Sequence, residues 1–416
     1  MNIKLSAINF KNYRSCRNTS LKLHPNLSIL IGINGSGKTT VLNGIGFLRS
    51  LSMGNFRHLR ERPLATSNCK ISCTFTADQS EINYSASLSY TTDEDNDDQL
   101  VAARERWRSK SLLGSGKTAD VPLWVLGAHR VEHGLSSREF YAMQRGIFGR
   151  QAAYEYLKAF DSKTTEAARS VNDFIRSTSY YSAAQFTDPS SCPPSFFVEE
   201  EGAFRRSLGF HRQHQKFMFD LYSAYKNNTN DWDRFISVVG RRGIRLVDNI
   251  KFREVFISSS EVRVRSGGGI NKQKRKKRLI IPAFYLRRRK YSPGQLSEGT
   301  FKTLGLLFYL LTEKSQLLLI EEPEVCIHHG LLTTIVELIK AESKRKQIII
   351  STHSDFVLDR ITPDNVFLVT NVGDRGIVVN PIERVLGSNG FQSLKTYLAN
   401  AGTLGEYWRQ GSLENE

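Results

Sequence analysis

The sequence predicts an α/β fold with a mixed sheet, an antiparallel β lobe and a largely helical segment in the middle of the chain. Residues 27–47 pass from a β-rich apolar run through a glycine-rich loop into a helical pattern. Residues 3–10, 69–75 and 82–90 are strand-like, with apolar and polar side chains alternating clearly in the first of them. Apolar residues recur at helical spacing within residues 140–240, as at Phe217, Leu221 and Tyr225.

The glycine-rich loop, Gly32 to Thr39, matches a phosphate-binding P-loop. Its position between a strand and a helix is the context that this motif requires, and it argues against a chance glycine-rich turn. The glycines let successive backbone N–H groups point at one phosphate at the positive end of the helix. Lys38 would reach the β- and γ-phosphates of ATP, and the Thr39 hydroxyl would hold Mg²⁺. We predict nucleotide contacts from Asn34, Gly35, Ser36, Gly37, Lys38, Thr39 and Thr40.

We divide the chain at its changes of pattern. Residues 1–104 form the N-terminal part of the nucleotide-binding domain, residues 105–250 form a mainly helical insertion, and residues 251–416 complete the domain.

With 40% hydrophobic and 24% charged residues, the composition is that of an ordinary soluble globular protein.

No apolar run is long enough to span a bilayer, and the N-terminus lacks a signal-peptide pattern, so we expect no membrane partner. The five cysteines are odd in number and form no C-x-x-C pair. We interpret Cys69 and Cys73 as reduced packing residues and expect a cytoplasmic location.

The net charge of +17 favours an anionic partner, and nucleic acid is the commonest one. No acidic residue lies between Glu261 and Glu298, where two predicted strands, 255–265 and 279–286, flank a basic loop. We call this segment, with the residues after its second strand, the basic hairpin. Sequence-independent contact with DNA phosphates is one interpretation. A solvated loop and a docking site for an acidic protein are the alternatives. Its basic residues are Lys272, Lys274, Arg275, Lys276, Lys277, Arg278, Arg287, Arg288, Arg289 and Lys290.

Three further motifs follow in the last third of the chain. Residues 296–299 precede a helical run, the buried strand 317–320 ends in Glu321 and Glu322, and the strand 347–350 is followed by His353. Carboxylates at a strand end beside a P-loop can coordinate the metal of a nucleotide and orient the attacking water. A lone histidine is more often structural, but the order of all four elements favours a common site.

With these motifs the chain resembles ABC-type ATPases of the RecF/SMC and OLD-like group. Residues 296–299 match the signature motif of that group, residues 317–322 its Walker B strand, and His353 its switch histidine. Arg14 matches an N-terminal arginine that contacts nucleotide phosphates in these proteins. The resemblance implies an ABC-type ATPase head and a Q-loop glutamine, for which Gln79 is a candidate.

The resemblance also implies a homodimer or higher oligomer that encloses ATP. The P-loop of one subunit would face Ser297, Glu298 and Gly299 of the other. Glu322 would be the general base, with His353 as the second catalytic residue. Glu321, where the family more often has aspartate, would assist Thr39 in holding Mg²⁺.

Two departures from the group narrow the functional hypotheses. No long heptad region separates the halves, and too few residues follow His353 for a Toprim nuclease domain. The chain therefore resembles compact ATPases of Septu-like and PARIS-like anti-phage systems, which work beside a separate nuclease or toxin effector. A RecF-like repair ATPase that loads proteins on DNA and a slow ATP-dependent scaffold are the alternative functions.

Overall fold

The structure, a computed structural model, describes residues 2–52, 68–77, 80–92, 98–109, 118–125, 162–199, 212–227, 230–264, 270–312, 315–325 and 327–411. The chain divides into two compact units. The first comprises Met1–Tyr180, Lys314–Glu324 and Val336–Glu416, and the second comprises Tyr181–Glu313 and Val325–Ile335. The helices in the described ranges are α1 (Lys38–Ser52), α2 (Ser162–Ser177), α3 (Arg212–Lys226), α4 (Asn230–Val239), α5 (Glu298–Leu311), α6 (His329–Ser343), α7 (Asp355–Leu358), α8 (Ile382–Asn400) and α9 (Leu404–Arg409).

A mixed sheet carries the predicted P-loop. Four of its six strands are parallel neighbours, and one edge strand pairs antiparallel with the first of them. Their side chains are mostly apolar and buried, as expected for parallel strands covered on both faces. In spatial order the strands are β16 (Ile377–Pro381), β15 (Val366–Asn371), β3 (Leu27–Ile31), β14 (Gln347–Ser351), β13 (Leu317–Glu321) and β8 (Ser179–Ser182).

The second sheet of the first unit is the antiparallel lobe. Its central strands bury alternate residues in one core with α1 and α2, in which Phe75 contacts Phe174 edge to face. The buried Gln347 amide joins the two sheets, because it donates to the Leu5 carbonyl and accepts from the Leu5 N–H, both at 2.8 Å. In spatial order the strands are β2 (Cys16–Lys22), β1 (Ile3–Tyr13), β4 (Cys69–Ala77), β5 (Ser80–Thr92), β6 (Asp98–Ser109) and β7 (Thr118–Val125).

The second unit combines helices with a four-stranded antiparallel sheet. An aromatic cluster on α3 and α5 forms its core, with Phe217 packed edge to face on Phe301 and Phe308. The predicted helical spacing of Phe217, Leu221 and Tyr225 is thus confirmed. The strands are β9 (Phe196–Glu199), β10 (Asn249–Val264), β11 (Ile270–Leu286) and β12 (Arg289–Tyr291).

The predicted fold class is confirmed, but two local predictions differ from the structure. The antiparallel lobe continues through β6 and β7 to Val125, whereas we assigned residues 105–250 to a mainly helical insertion. Lysines and arginines 272–278, expected in a loop, lie within β11 and pair with β10. Strand pairing depends on the partner strand as well as on local composition, so polar strands such as these escape detection by hydrophobic alternation.

Other predictions concern cysteines and membrane association. Cys16, Cys69, Cys73 and Cys192 are buried free thiols, and burial raises the pKa of Cys69 to about 12. This confirms Cys69 and Cys73 as reduced packing residues. No helix within the described ranges is long and apolar enough to cross a membrane.

Candidate functional site

The P-loop connects β3 to α1 with the backbone geometry that its glycines permit. Gly35 and Gly37 have φ angles of +82° and +102°, which side chains other than glycine rarely adopt. A Cβ atom on Gly37 would lie 2.2 Å from the Ile377 side chain. The helix begins at Lys38, directly after the loop. The loop therefore presents backbone N–H groups at the positive end of a helix, as the motif requires.

Lys38 lies inside the loop, where its ammonium group donates to the carbonyl oxygens of Gly32 at 2.7 Å and Ile33 at 3.0 Å. Burial lowers the pKa of Lys38, and the carboxylates of Glu322, Glu324 and Glu321 oppose that shift. The ammonium group is thus held between loop carbonyls and acidic residues at the end of β13.

The loop fits a phosphate group on two observations. The Ser36 hydroxyl oxygen is buried and has no hydrogen-bond partner, although buried polar atoms are nearly always paired. A Cβ atom placed on Gly35 would meet no atom within 4 Å, so the tip of the loop is open. A phosphate oxygen bound in this cradle would satisfy the Ser36 hydroxyl.

Thr39 and Glu321 form the contact that joins the P-loop to β13. The Thr39 hydroxyl donates to Glu321 at 2.5 Å, and the Tyr180 hydroxyl donates to the other Glu321 oxygen at 2.7 Å. Hydroxyl and carboxylate oxygens are the protein ligands that Mg²⁺ prefers. Glutamate is one methylene longer than the aspartate that is more common at this position, but the Glu321 carboxylate nevertheless reaches the Thr39 hydroxyl.

Glu322 follows with an unusual backbone conformation. Its φ angle is +46°, a left-handed conformation that costs a residue other than glycine about 1–2 kcal/mol. The Glu322 N–H donates to the Ser351 carbonyl at 2.9 Å, which fixes the turn against β14. Strain of this kind is concentrated at functional sites. The Glu322 side chain is 35% exposed, so a water molecule can reach its carboxylate.

His353 lies between two carboxylates. Its Nδ1 atom is 3.4 Å from an oxygen of Glu322 and 3.4 Å from an oxygen of Glu324. Glu324 is almost buried and accepts hydrogen bonds from the Thr352 hydroxyl at 2.8 Å and the His353 N–H at 3.1 Å. Burial raises the pKa of Glu324, against the effect of these hydrogen bonds. Glu324 thus holds the segment that carries His353.

Arg14 lies in the turn between β1 and β2, with a φ angle of +48°. The next residue, Ser15, accepts a hydrogen bond from the Ile377 N–H at 3.0 Å, and Ile377 packs against Gly37. The turn is therefore connected to the P-loop through a single residue. Contact of Arg14 with a nucleotide remains a prediction.

The predicted signature lies in the second unit. Ser297 is the exposed N-cap of α5, and its hydroxyl accepts from the Thr300 N–H at 3.3 Å. Glu298 pairs with the buried Lys302 at 2.7 Å. Ser297, Glu298 and Gly299 are thus presented at a helix N-terminus, and their role toward a second subunit remains a prediction.

The basic hairpin also belongs to the second unit. Arg287, Arg288, Arg289 and Lys290 are exposed, while Arg278 lies 3.8 Å from Glu254. The side chains of Lys272, Lys274, Arg275 and Lys276 lie outside the described part of the structure, as does the Q-loop candidate Gln79. DNA contact by these residues remains a prediction.

Sequence reasoning missed Glu324 and Tyr180 as parts of this site. The motif Glu321-Glu322-Pro323-Glu324 contains Glu324, but only its contacts with Thr352 and His353 reveal a role. Tyr180 is far from the motifs along the chain, and no sequence signal indicated its hydrogen bond to Glu321.

Glu324→Ala is expected to reduce ATP turnover with little effect on ATP affinity, because it frees the backbone of His353 without touching the P-loop. Loss of two hydrogen bonds to a buried acceptor should also destabilise the protein by about 1–3 kcal/mol. Steady-state kinetics and thermal unfolding measure the two effects. An unchanged turnover number would contradict a positioning role for Glu324.

Glu324→Gln is the matched control, since its amide oxygen can accept the same two hydrogen bonds. The raised pKa of Glu324 means that its contribution to stability is lost as pH rises from the unfolded-state pKa through the folded-state pKa. The Gln variant should therefore gain stability over wild type at neutral pH, and this gain should vanish in acid. Thermal unfolding at several pH values without nucleotide tests the sign.

Two family models match consecutive parts of the chain. Residues 3–191 match the model described as "AAA ATPase domain". Residues 195–359 match the model described as "AAA domain, putative AbiEii toxin, Type IV TA system". The two matches include the P-loop and both strand ends that carry the candidate site.

Individual relatives are similar over shorter segments. The DNA replication and repair protein RecF of Lactococcus lactis is 48% identical over 46 residues, which is 11% of this chain and 13% of that protein. The chromosome partition protein Smc of Methanococcus voltae is 38% identical over 63 residues, 14% of this chain and 5% of that protein. The chain thus aligns with only a small part of either relative.

Among solved structures, an Smc head bound to the C-terminal winged-helix domain of ScpA gives a TM-score of 0.47 at 14% identity, covering 90% of this chain and 96% of that one. The family matches and the local identity to RecF and Smc agree with the geometry of the P-loop site. Two AAA ATPase domain models thus match consecutive parts of the chain, and short segments of it are similar to RecF and Smc proteins.

Proposed function

We propose that the chain hydrolyses ATP at the site formed by the P-loop and the ends of β13 and β14. The observation that carries this proposal is the hydrogen bond between Thr39 and Glu321. It joins the P-loop to the end of β13, although the two residues are 282 positions apart in the sequence. Glu322 and His353 follow directly at the same edge of the sheet.

In this proposal each residue has a separate task. Lys38 leaves its loop carbonyls to contact the β- and γ-phosphates, while the loop N–H groups and Ser36 hold the phosphate oxygens. Thr39 and Glu321 would hold Mg²⁺, and a bound Mg²⁺ would neutralise phosphate charge. Glu322 accepts the proton of the attacking water. His353, which lies between Glu322 and Glu324, orients the Glu322 carboxylate.

Release of inorganic phosphate from ATP tests this function directly. We expect steady phosphate release in Mg²⁺ and loss of release in excess EDTA, with binding of a fluorescent ATP analogue measured in parallel. Binding of the analogue without any Mg²⁺-dependent release would leave the slow ATP-dependent scaffold as the better description.

We further propose that ATP brings two copies of the chain together, in a homodimer or higher oligomer. The exposed N-terminus of α5, with Ser297 as its cap, supports this because helix N-termini bind phosphate groups. Light scattering of the protein with and without ATP would show the change in mass.

DNA binding by the basic hairpin is the proposed further activity. The β10–β11 pairing places residues 272, 274, 276 and 278 at alternate positions of one long strand. Alternate positions of a strand belong to the same face and are roughly 7 Å apart, so this register spaces four basic residue types regularly along one strand. Such a row suits a phosphate backbone without reading its sequence.

Neutralising Lys274, Arg275, Lys276 and Lys277 together is expected to weaken DNA binding equally for all sequences. Each lost phosphate contact should flatten the slope of log K against log[salt] by roughly one. Fluorescence anisotropy over a salt series measures both. An unchanged affinity and slope would favour an acidic protein as the partner of the hairpin.

The matched control for the hairpin removes the same charge from exposed residues of the first unit, Lys11, Lys22, Lys70 and Lys344. We expect this variant to keep the salt slope of the wild type. Basal ATPase activity should be retained in both variants, because none of these residues belongs to the P-loop site.

The biological role that we propose is anti-phage defence beside a separate nuclease or toxin effector. The match of residues 195–359 to a model named for a toxin–antitoxin system supports this role. The local identity to RecF favours the second candidate, a DNA repair or loading ATPase. Survival of phage-challenged cells with and without the Lys38→Ala variant separates the two, since only the defence role predicts lost protection.

A further inference from the structure

An arginine-lined concavity of about 770 Å³ lies within the second unit and shares no residue with the P-loop site. This volume is in the range of small-molecule sites, roughly 300–1,000 Å³. The wall comes from the segment that follows α4 and from the turn between β11 and β12. Its lining residues are Arg241, Arg245, Leu246, Val247, Asp248, Leu286, Arg287 and Tyr291.

Two arginines that line this concavity, and a third that adjoins it along the chain, have left-handed backbone conformations. Arg245 has a φ angle of +57°, and the neighbouring turn residues Arg287 and Arg288 have +47° and +67°. Each costs about 1–2 kcal/mol that a glycine would avoid. Arg287 and Arg288 form the two-residue turn between β11 and β12, where positive φ angles match the twist of the strands.

Asp248 organises both segments. Its carboxylate accepts from the Arg241 side chain at 2.9 Å and 3.2 Å and from the Arg288 N–H at 3.2 Å. The paired Arg241 guanidinium, followed by the Arg288 N–H, holds the pKa of Asp248 below its usual range. Within the described ranges, the guanidinium groups of Arg245 and Arg287 make no hydrogen bond or ion pair, although both backbone N–H groups are bonded. Two guanidinium groups thus remain available around a wall that is already fixed.

We propose that this concavity binds a phosphomonoester, carried either by a free nucleotide or by the end of a nucleic-acid strand. Guanidinium forks bind phosphate oxygens in bidentate pairs, and their convergence on one hollow suits a compact dianion better than an extended backbone. Tyr291, Leu246 and Leu286 supply an aromatic and apolar wall for the attached sugar or base. The site shares no residue with the ATP site and does not depend on ATP hydrolysis.

The test compares ligands that differ only in the phosphate. Calorimetry of the full chain would measure AMP against adenosine, and anisotropy would measure an oligonucleotide with and without a 5′-phosphate. We expect the phosphate to strengthen binding in at least one pair by about tenfold or more, the range of a charge-assisted hydrogen bond. A preference in the AMP pair identifies free nucleotides, and one in the oligonucleotide pair identifies strand ends.

Three variants locate the effect. Arg245→Ala should abolish the phosphate preference, and Arg287→Lys should largely abolish it, since lysine keeps the charge but lacks the fork. Arg242→Ala removes the same charge from an exposed residue outside the concavity and should leave the preference intact. Absence of any phosphate preference, or equal loss in Arg242→Ala, would overturn the proposal.

Discussion

Glu322→Gln is expected to lower ATP turnover by at least about 100-fold while ATP remains bound, because a positioned general base contributes roughly 10²–10⁴-fold. The amide has nearly the same shape as the carboxylate, so the left-handed turn at residue 322 and the Ser351 contact should persist. Lys38, Ser36 and Thr39 are untouched, so affinity for ATP should be close to that of the wild type. Single-turnover phosphate release and nucleotide binding measure the two quantities.

The control for Glu322→Gln is Glu337→Gln, the same chemical change on an exposed face of α6. It should leave turnover unchanged. If ATP turnover of Glu322→Gln is close to wild type, the proposed general base must be sought elsewhere in the site. Trapping of ATP by Glu322→Gln should also accumulate the proposed dimer, which light scattering would detect.

The P-loop and the ends of β13 and β14 were predictable because local sequence determines them. Glycines at fixed spacing before Lys38 have few uses other than a phosphate cradle, and continuous apolar strands such as 317–320 indicate a covered parallel sheet. The order of parallel strands then brings Thr39 and Glu321 to the same edge of the sheet. The structure places them in hydrogen-bond contact.

The remaining features depend on tertiary contacts that a single sequence does not display. Glu324 became a member of the site only through its hydrogen bonds to Thr352 and His353, and Tyr180 only through Glu321. The basic segment 272–278 is strongly polar, so nothing local distinguishes a strand from a loop there. Pairing with β10 decides its conformation.

Ser297→Arg is expected to lower ATP turnover by about 100-fold or more, the cost of misplacing reacting groups when a site cannot close. In the proposed dimer, Ser297 faces the nucleotide held by the other subunit, and the long arginine side chain would block closure. ATP binding to the monomer should be retained, because Ser297 and the P-loop belong to different units of the chain. Ser297→Ala is the control, since it removes the helix cap at a cost of about 1 kcal/mol without adding bulk.

Mixing Ser297→Arg with Lys38→Ala tests whether the signature acts on the partner. Each mixed dimer combines an intact Lys38 from one chain with an intact Ser297 from the other, so one of its two sites is complete. Random exchange should restore roughly a quarter of wild-type ATPase activity in a symmetric dimer, while either variant alone stays inactive. If mixed dimers form and no activity returns, Ser297 does not act across the dimer. The loss in Ser297→Arg would then arise within its own chain.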